Sequence, residues 1–355
     1  MIAKTVELHL LQSFPPSCVN RDGNNSPKDC TFGEVRRARI SSQCLKRAIR
    51  QADIFAQTVG EAIAVRSKQM RDKKLVPYLM QAGLPQEKAE KVADDFRRQL
   101  AKDDKKPAQT SVGLYFGDPE LFALLDAFRS GDKNWKQKGA RKSADVALFG
   151  RMLAESPDLN VDAACQVAHA ISTHKLSQEM DYWTAADDLK DRAEEDAGAG
   201  MLGTAEFNAS VFYRYACVSL PVLWDNLGDD DIARKTVKAF LLASWDAIPT
   251  GKLNGHAHFT PPFFALVCVR RRGMPLNLCN AFLTPVRATR DKGLDLASAE
   301  ALLDHLWRAI RIAPVHDADY ALTHTLAVNL PVAGVKYWPG GYGELVDWVM
   351  EHLDQ

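Results

Sequence analysis

Within residues 36–50, RRARISSQCLKRAIR, six side chains are Arg or Lys and none is acidic. The whole chain holds 45 basic and 45 acidic residues, a formal net charge of zero. The segment is therefore a concentration of positive charge on a neutral background. Ser41, Ser42 and Gln43 stand among the cations and donate hydrogen bonds without carrying charge. That mixture suits a sugar–phosphate backbone, where charge supplies affinity and short polar groups fix register. A merely solvated helix face would mix signs, and this one does not. Arg21 and Lys28 lie just upstream, so two segments can converge on one polyanion. Neutralising four phosphates on a single strand would lower log K by ~2.8 per decade of salt.

Other residues invite chemistry less strongly. Asp22 and Asp29 sit in the loop before the basic segment. A carboxylate beside bound RNA could hold a metal or activate a 2′-hydroxyl. More often such an acid pairs with a neighbouring arginine or caps a turn. His256 and His258 have strand spacing and would face one way, but no third metal ligand is near in sequence. His169 and His174 fall on an expected helix and its end, where core or capping roles are expected. The seven cysteines are scattered with no C-x-x-C pair. That argues against a zinc site of ordinary spacing and fits free thiols in a reducing compartment. There is no GxxxxGK[ST] loop and no GxSxG elbow. No cofactor is expected.

Two further segments could touch nucleic acid. Lys133, Lys136, Lys138, Arg141 and Lys142 are five cations in ten residues without an acid. They read as a solubility patch or as a second, weaker contact. Residues 181–196 carry seven acids against two basic residues, and Gly198, Gly200 and Gly203 follow. That composition predicts a protrusion. Met201, Leu202 and Phe207 are its apolar members. They either pack back onto the body or form a wedge that separates stacked bases. Phe207 could also serve as a stacking platform.

The elements that must position these groups can be read from periodicity. Val6, Leu8 and Leu10 alternate with Thr5, Glu7 and His9, which predicts a strand with one face in the core. A polar loop is expected from Pro15 to about Gly33. Ser41 or Ser42 can cap a helix whose Leu45, Ala48, Ile49 and Ala52 recur at helical spacing, with Lys46 and Arg50 on another face. Helices are expected over 86–100, 119–128, 143–153, 161–174, 275–282, 297–312 and 343–353. Strands are expected over 207–220 and 262–271, rich in β-branched and aromatic residues. Strand signals at both ends with a helical block between them predict one discontinuous α+β domain.

Bulk composition agrees with an ordinary globular protein: 46% hydrophobic and 25% charged over 355 residues. No run approaches the ~18 apolar residues that cross a bilayer. The N-terminal MIAKTVELHLL lacks a signal-peptide pattern, so a cytoplasmic location is expected.

CVNRDGNNSPKD followed by FGEVRRARISSQCLKRAIR closely resembles the N-terminal region of the CasC family, the backbone subunit of the type I-E CRISPR surveillance complex, Cascade. The resemblance continues through DVALFGRM, VAHAISTH, DYWTAADDL, LGTAEFNASVFYRYA and MPLNLCNAF, in order along most of the chain. It implies a modified RNA-recognition-motif (ferredoxin-like) palm at 1–55 and 211–355, helical fingers at 56–184 and a thumb hairpin at 185–210. It implies a crRNA partner, copies of the same chain lined up head to tail, other Cascade subunits, and target DNA engaged by way of the guide. Carried over by motif, Ser41, Ser42, Gln43, Lys46 and Arg50 would hold guide phosphates, supported by Arg21, Lys28, Arg37 and Arg39. Leu202 and Phe207 would be the thumb wedge, and 133–142 would lie on the fingers near target duplex. The linker KDRAEEDAGAG is long and acidic for the family. Type I-E relatives are non-catalytic scaffolds, whereas in other CRISPR types a loop aspartate of a related subunit cleaves RNA. A metal-dependent endoribonuclease using Asp22 or Asp29 is therefore the alternative. A solitary RNA-binding module is a third class.

Overall fold

A computed structural model describes residues 3–106, 108–184, 202–330 and 333–354. The chain is mixed α+β and divides into two compact units. One comprises Met1–Gln51, Val167–Cys217 and Ser244–Gln355; the other comprises Ala52–Gln166 and Val218–Ala243. No helix among the described residues is long and apolar enough to cross a membrane.

The first unit is built on a large, mostly antiparallel sheet. Its strands run in the order Val335–Tyr337, Asp317–His324, Phe264–Arg272, Thr5–Ser17, Leu202–Ser219, Ala170–Ser172, Val35–Ile40 and Asp29–Phe32. Glu179–Thr184 pairs with the start of Leu202–Ser219 as a hairpin. The outer pair Asp317–His324 and Val335–Tyr337 is parallel. Phe264 through Val269 are all buried, because helices cover the sheet on both faces.

Those covers correct the expectation for the first strand. Thr5–Ser17 was expected to keep one polar face in water, yet Glu7 and His9 are buried along with Leu8 and Leu10. Glu7 lies opposite Cys268, His9 opposite Leu266 and Leu11 opposite Phe264. This face packs beneath the helix Leu294–Ile312, whose Leu302, Leu303 and Leu306 join it in one core. The alternation is real, but the polar face is satisfied internally: the Glu7 carboxylate accepts from Arg270, Tyr215 and the Leu276 N–H.

Three other expectations change. Much of the loop expected up to Gly33 is structured: the first strand extends to Ser17, and Asp29–Phe32 and Val35–Ile40 form a tight hairpin. Gly33 and Glu34 turn it with φ of 60° and 65°, the sign that a two-residue hairpin turn needs. Residues 161–174 are not a helix; Ala170–Ser172 is a strand. The Ser172 hydroxyl accepts from Ala38 N–H, and the Ser172 and Thr173 carbonyls accept from Arg37. These sheet partners outweigh the helical spacing. At 275–282 only a short 3₁₀ turn, Leu278–Phe282, forms.

The second unit is chiefly helical. Helices Gln86–Leu100 and Asp118–Arg129 match the periodicity closely. The helix expected over 143–153 stops at Phe149, because Gly150 takes φ 78°. Phe96, Leu100, Phe116, Leu121 and Leu124 form its core, with the two-stranded sheet Val65–Ser67 and Leu114–Phe116. Buried Arg151 makes two hydrogen bonds to buried Glu120, at 2.7 and 2.8 Å.

Candidate nucleic-acid interface

The basic segment splits between a strand and a helix. Residues 36–40 belong to the hairpin, and Ser42–Gln51 is the helix. The Ser41 hydroxyl accepts from the Cys44 N–H at 3.4 Å, the geometry of an N-cap. Leu45 and Ile49 are its buried stripe. Ser42, Lys46 and Arg50 are half-buried, and Gln43 is exposed in the first turn.

Asn20 ties the preceding loop to this helix. Its side-chain oxygen accepts from the Ser41 N–H at 2.9 Å, and its carbonyl accepts from the Lys28 N–H at 2.9 Å. The two cationic segments that the sequence suggested could converge are thus joined by one residue. Lys28, Arg36 and Arg39 then line a cavity of about 530 Å³ together with Asp22, Asp29 and Glu206. Arg39 donates to the Asp29 carbonyl at 2.9 Å and to His169 Nδ1 at 3.2 Å. Arginine has no acceptor, so His169 carries its proton on Nε2. Burial, then the nearby Arg39 and Lys28 charges, hold His169 below its usual pKa. Arg21 is exposed and donates to Asn25 Oδ1 at 2.6 Å.

Arg37 departs from expectation. It was expected to support phosphates at the surface, but it is fully buried. Its guanidinium donates to the carbonyls of Phe32, Ser172, Thr173, Phe282 and Leu283. It staples the hairpin to the neighbouring strand and to the 3₁₀ turn, and cannot touch a ligand.

The loop acids are engaged. Asp22 Oδ1 accepts from the N–H groups of Asn24 and Ser26, and Asp29 pairs with Arg36. His256 and His258 are not on a strand: Leu253–His256 is a helical turn. His258 is buried against the Pro249 carbonyl, at 2.9 Å. No group of three or more metal-ligating side chains occurs among the described residues.

The protrusion is partly described. Residues 185–201 lie outside the described residues, as does the side chain of Leu202. Phe207 is half-buried, with its ring 6.3 Å from that of His256. The hairpin carries three side chains that sequence reading missed: Met180, Tyr182 and Trp183 are 68%, 62% and 47% exposed. The alternation of Met180 and Tyr182 with Glu179 and Asp181 is the available signal for two of them; Trp183, next to Tyr182, falls on the other face.

In the second unit, the 133–142 cations surround a short turn at Trp135–Gln137. Trp135 packs on Phe96 and Phe128. Lys136 pairs with Asp158 and Arg141 with Glu61, while Lys133 and Lys138 are exposed and Lys142 is half-buried.

The sequence profile of the CT1975-like protein family matches residues 6–326. The chain belongs to that family. This membership bears out the resemblance read from the sequence. Two solved chains share the fold of this CT1975-like protein over nearly its whole length. One, described as "CRISPR RNA-guided surveillance complex, pre-nicking", is 29% identical, with a TM-score of 0.85 over 98% of this chain and 100% of that one. Another, described as "CRISPR RNA-guided surveillance complex", is 26% identical, with a TM-score of 0.66 over 98% of each. Among curated proteins nothing matches. Both solved relatives are described as chains of RNA-guided surveillance complexes.

Proposed function

We propose that this chain is a non-catalytic backbone subunit of a type I-E CRISPR surveillance complex in the cytoplasm. Copies of it line up along the crRNA, grip its phosphates without reading its sequence, and leave the bases free to pair with target DNA. The sheet unit serves as a modified RNA-recognition-motif palm and the helical unit as fingers. The hairpin of Glu179–Thr184 with Leu202–Ser219 is the root of a thumb that acts on a neighbour's stretch of guide.

The observation that carries this reading is the Asn20 latch, which brings the loop of Arg21 and Lys28 onto the cap of the helix bearing Lys46 and Arg50. Such a surface offers cations and short polar donors, which suits a guide whose sequence differs from spacer to spacer. The descriptions of the solved relatives as RNA-guided complexes support it. Asp22 and Asp29 are engaged by backbone amides and by Arg36, which favours a scaffold over the ribonuclease alternative.

The test is guide retention by the assembled complex. Lys46→Ala with Arg50→Ala should lower retention similarly for two unrelated spacers; unchanged retention would remove the assignment. The complex should also leave matched RNA intact in Mg²⁺. Regularly spaced cuts abolished by Asp22→Ala or Asp29→Ala would make it a ribonuclease.

A further inference from the structure

Arg214 is buried in the sheet unit, 5% exposed, directly beneath the basic helix. It lines a small cavity of about 10 Å³ with Leu45 and Ile49, the buried stripe of Ser42–Gln51, and with Leu8, Leu10 and Ser244. Its Nη1 donates to Gln12 Oε1 at 2.6 Å and its Nη2 to the Ser244 carbonyl at 2.8 Å. Among the described residues no carboxylate pairs with it. Another buried arginine of the sheet unit, Arg270, is matched by Glu7, whereas Arg37, like Arg214, is held by uncharged acceptors, though by five of them. Buried charges are ordinarily paired, so an unmatched guanidinium calls for a reason.

We propose that Arg214 strengthens the hold on the guide through space, as a fixed positive charge behind the helix that carries Lys46 and Arg50. This rests on the reading that the outer face of that helix meets phosphates. Burial lowers the pKa of Arg214 to about 10, so it remains a cation at neutral pH. The ionisable group with a resolved effect on it is the Tyr342 phenol, itself pushed up by burial and neutral in that range. A helix is roughly 10–12 Å across with its side chains, so a phosphate held outside lies about one helix diameter from the guanidinium. At an effective dielectric constant of ~20, a unit charge at roughly 12 Å changes a phosphate's binding constant about tenfold. Much of the intervening material is apolar, Leu45 and Ile49 included, so salt screens this field less than it would screen a surface pair. Pairing Arg214 with a buried acid would cancel the field. Gln12, an uncharged acceptor at the same place, holds the guanidinium without cancelling it.

That contrast supplies the experiment. Gln12→Glu is nearly isosteric, leaves Arg214 in place and puts a carboxylate on its Nη1. Arg214→Met removes the charge and keeps most of the volume. The full-length protein is titrated onto a labelled single-stranded RNA in 50 mM and 200 mM salt, with thermal unfolding as the check on folding. Both variants should bind threefold to tenfold more weakly at the lower salt, with a salt slope like that of the unchanged protein, because no phosphate contact is lost. A merely structural Arg214 would alter unfolding and leave RNA affinity alone. Unchanged affinity in whichever variant folds overturns the proposal. Lys46→Ala with Arg50→Ala, run alongside, separates the two claims. If that pair weakens binding and Gln12→Glu does not, the field proposal alone fails; if neither does, the grip itself has been misplaced.

Discussion

Glu7 and Arg270 meet inside the sheet unit with Oε1 and Nε 2.6 Å apart, and neither side chain is more than 2% exposed. The carboxylate also takes hydrogen bonds from Tyr215 and the Leu276 N–H, and Arg270 donates to the Tyr320 hydroxyl. The pair is thus the centre of a network that lets a polar strand face lie under a helix. Removing one partner leaves the other charge buried and alone. Glu7→Ala should cost about 3–5 kcal/mol of stability in denaturant unfolding. The double variant Glu7→Leu with Arg270→Met should cost less than the sum of its singles. Strict additivity would show that the two residues do not act together.

Trp183 lies across Gly203 in the hairpin. A Cβ placed at Gly203 would come within 2.4 Å of the indole. Gly203→Val should therefore displace the indole and raise acrylamide quenching of Trp183 fluorescence, measured against Trp183→Phe as background. Thermal unfolding of the body should move little. Under the proposed function, this variant and Phe207→Ala should both loosen the regular nuclease protection of the guide. An unperturbed Trp183 signal in Gly203→Val would mean that the contact does not hold in solution.

How much of this could be read from residues depends on what each segment is answering to. Helices such as Gln86–Leu100 answer to their own periodicity and were legible. The basic helix was legible because its cap, stripe and charges are local. Ala170–Ser172 was not, because it answers to Arg37 and Ala38, more than 130 residues away in sequence. Arg37 itself was misplaced for the same reason: in a run of cations nothing local distinguishes the one that five carbonyls will surround. Gly33 is a similar case. Its Cβ would lie 1.9 Å from the Leu283 carbonyl, a constraint set from the far end of the chain. The two faces of Thr5–Ser17 were assigned correctly as alternating, but no single strand reveals that both will be covered.

His9 makes the stability of the sheet unit depend on pH. It is buried on the same face as Glu7. The Tyr213 hydroxyl accepts from the Leu278 N–H at 3.0 Å, which leaves its own proton for His9 Nδ1 at 2.8 Å. Burial above all, opposed by Glu7 and reinforced by Arg270, pushes the pKa of His9 down to about 4. The unfolded chain takes up that proton near pH 6.5. Between those values only the unfolded state is protonated. Stability from this group is complete above about pH 6.5 and is lost progressively as pH falls toward about 4, by about 3 kcal/mol in all. His9→Gln should then lose stability less steeply than the unchanged protein as unfolding is measured from pH 7.5 down to pH 4.5. A gap between the two that stays constant with pH would refute the assignment.

Under the proposed function, the salt dependence of guide binding tests the helix contact by counting charges. Each phosphate neutralised on a single strand contributes ~0.7 to the slope of log K against log salt. Lys46 and Arg50 lie four residues apart on one helix, so each can meet its own phosphate. Lys46→Ala with Arg50→Ala should therefore flatten the slope by about 1.4 as well as weaken binding. Changes at Arg37 should behave otherwise. Its donors are all spent on carbonyls, so Arg37→Met should lower stability while its folded fraction keeps the full slope. A slope unchanged in the double variant, or one flattened in Arg37→Met, would mean that the strand runs over a different surface of the palm.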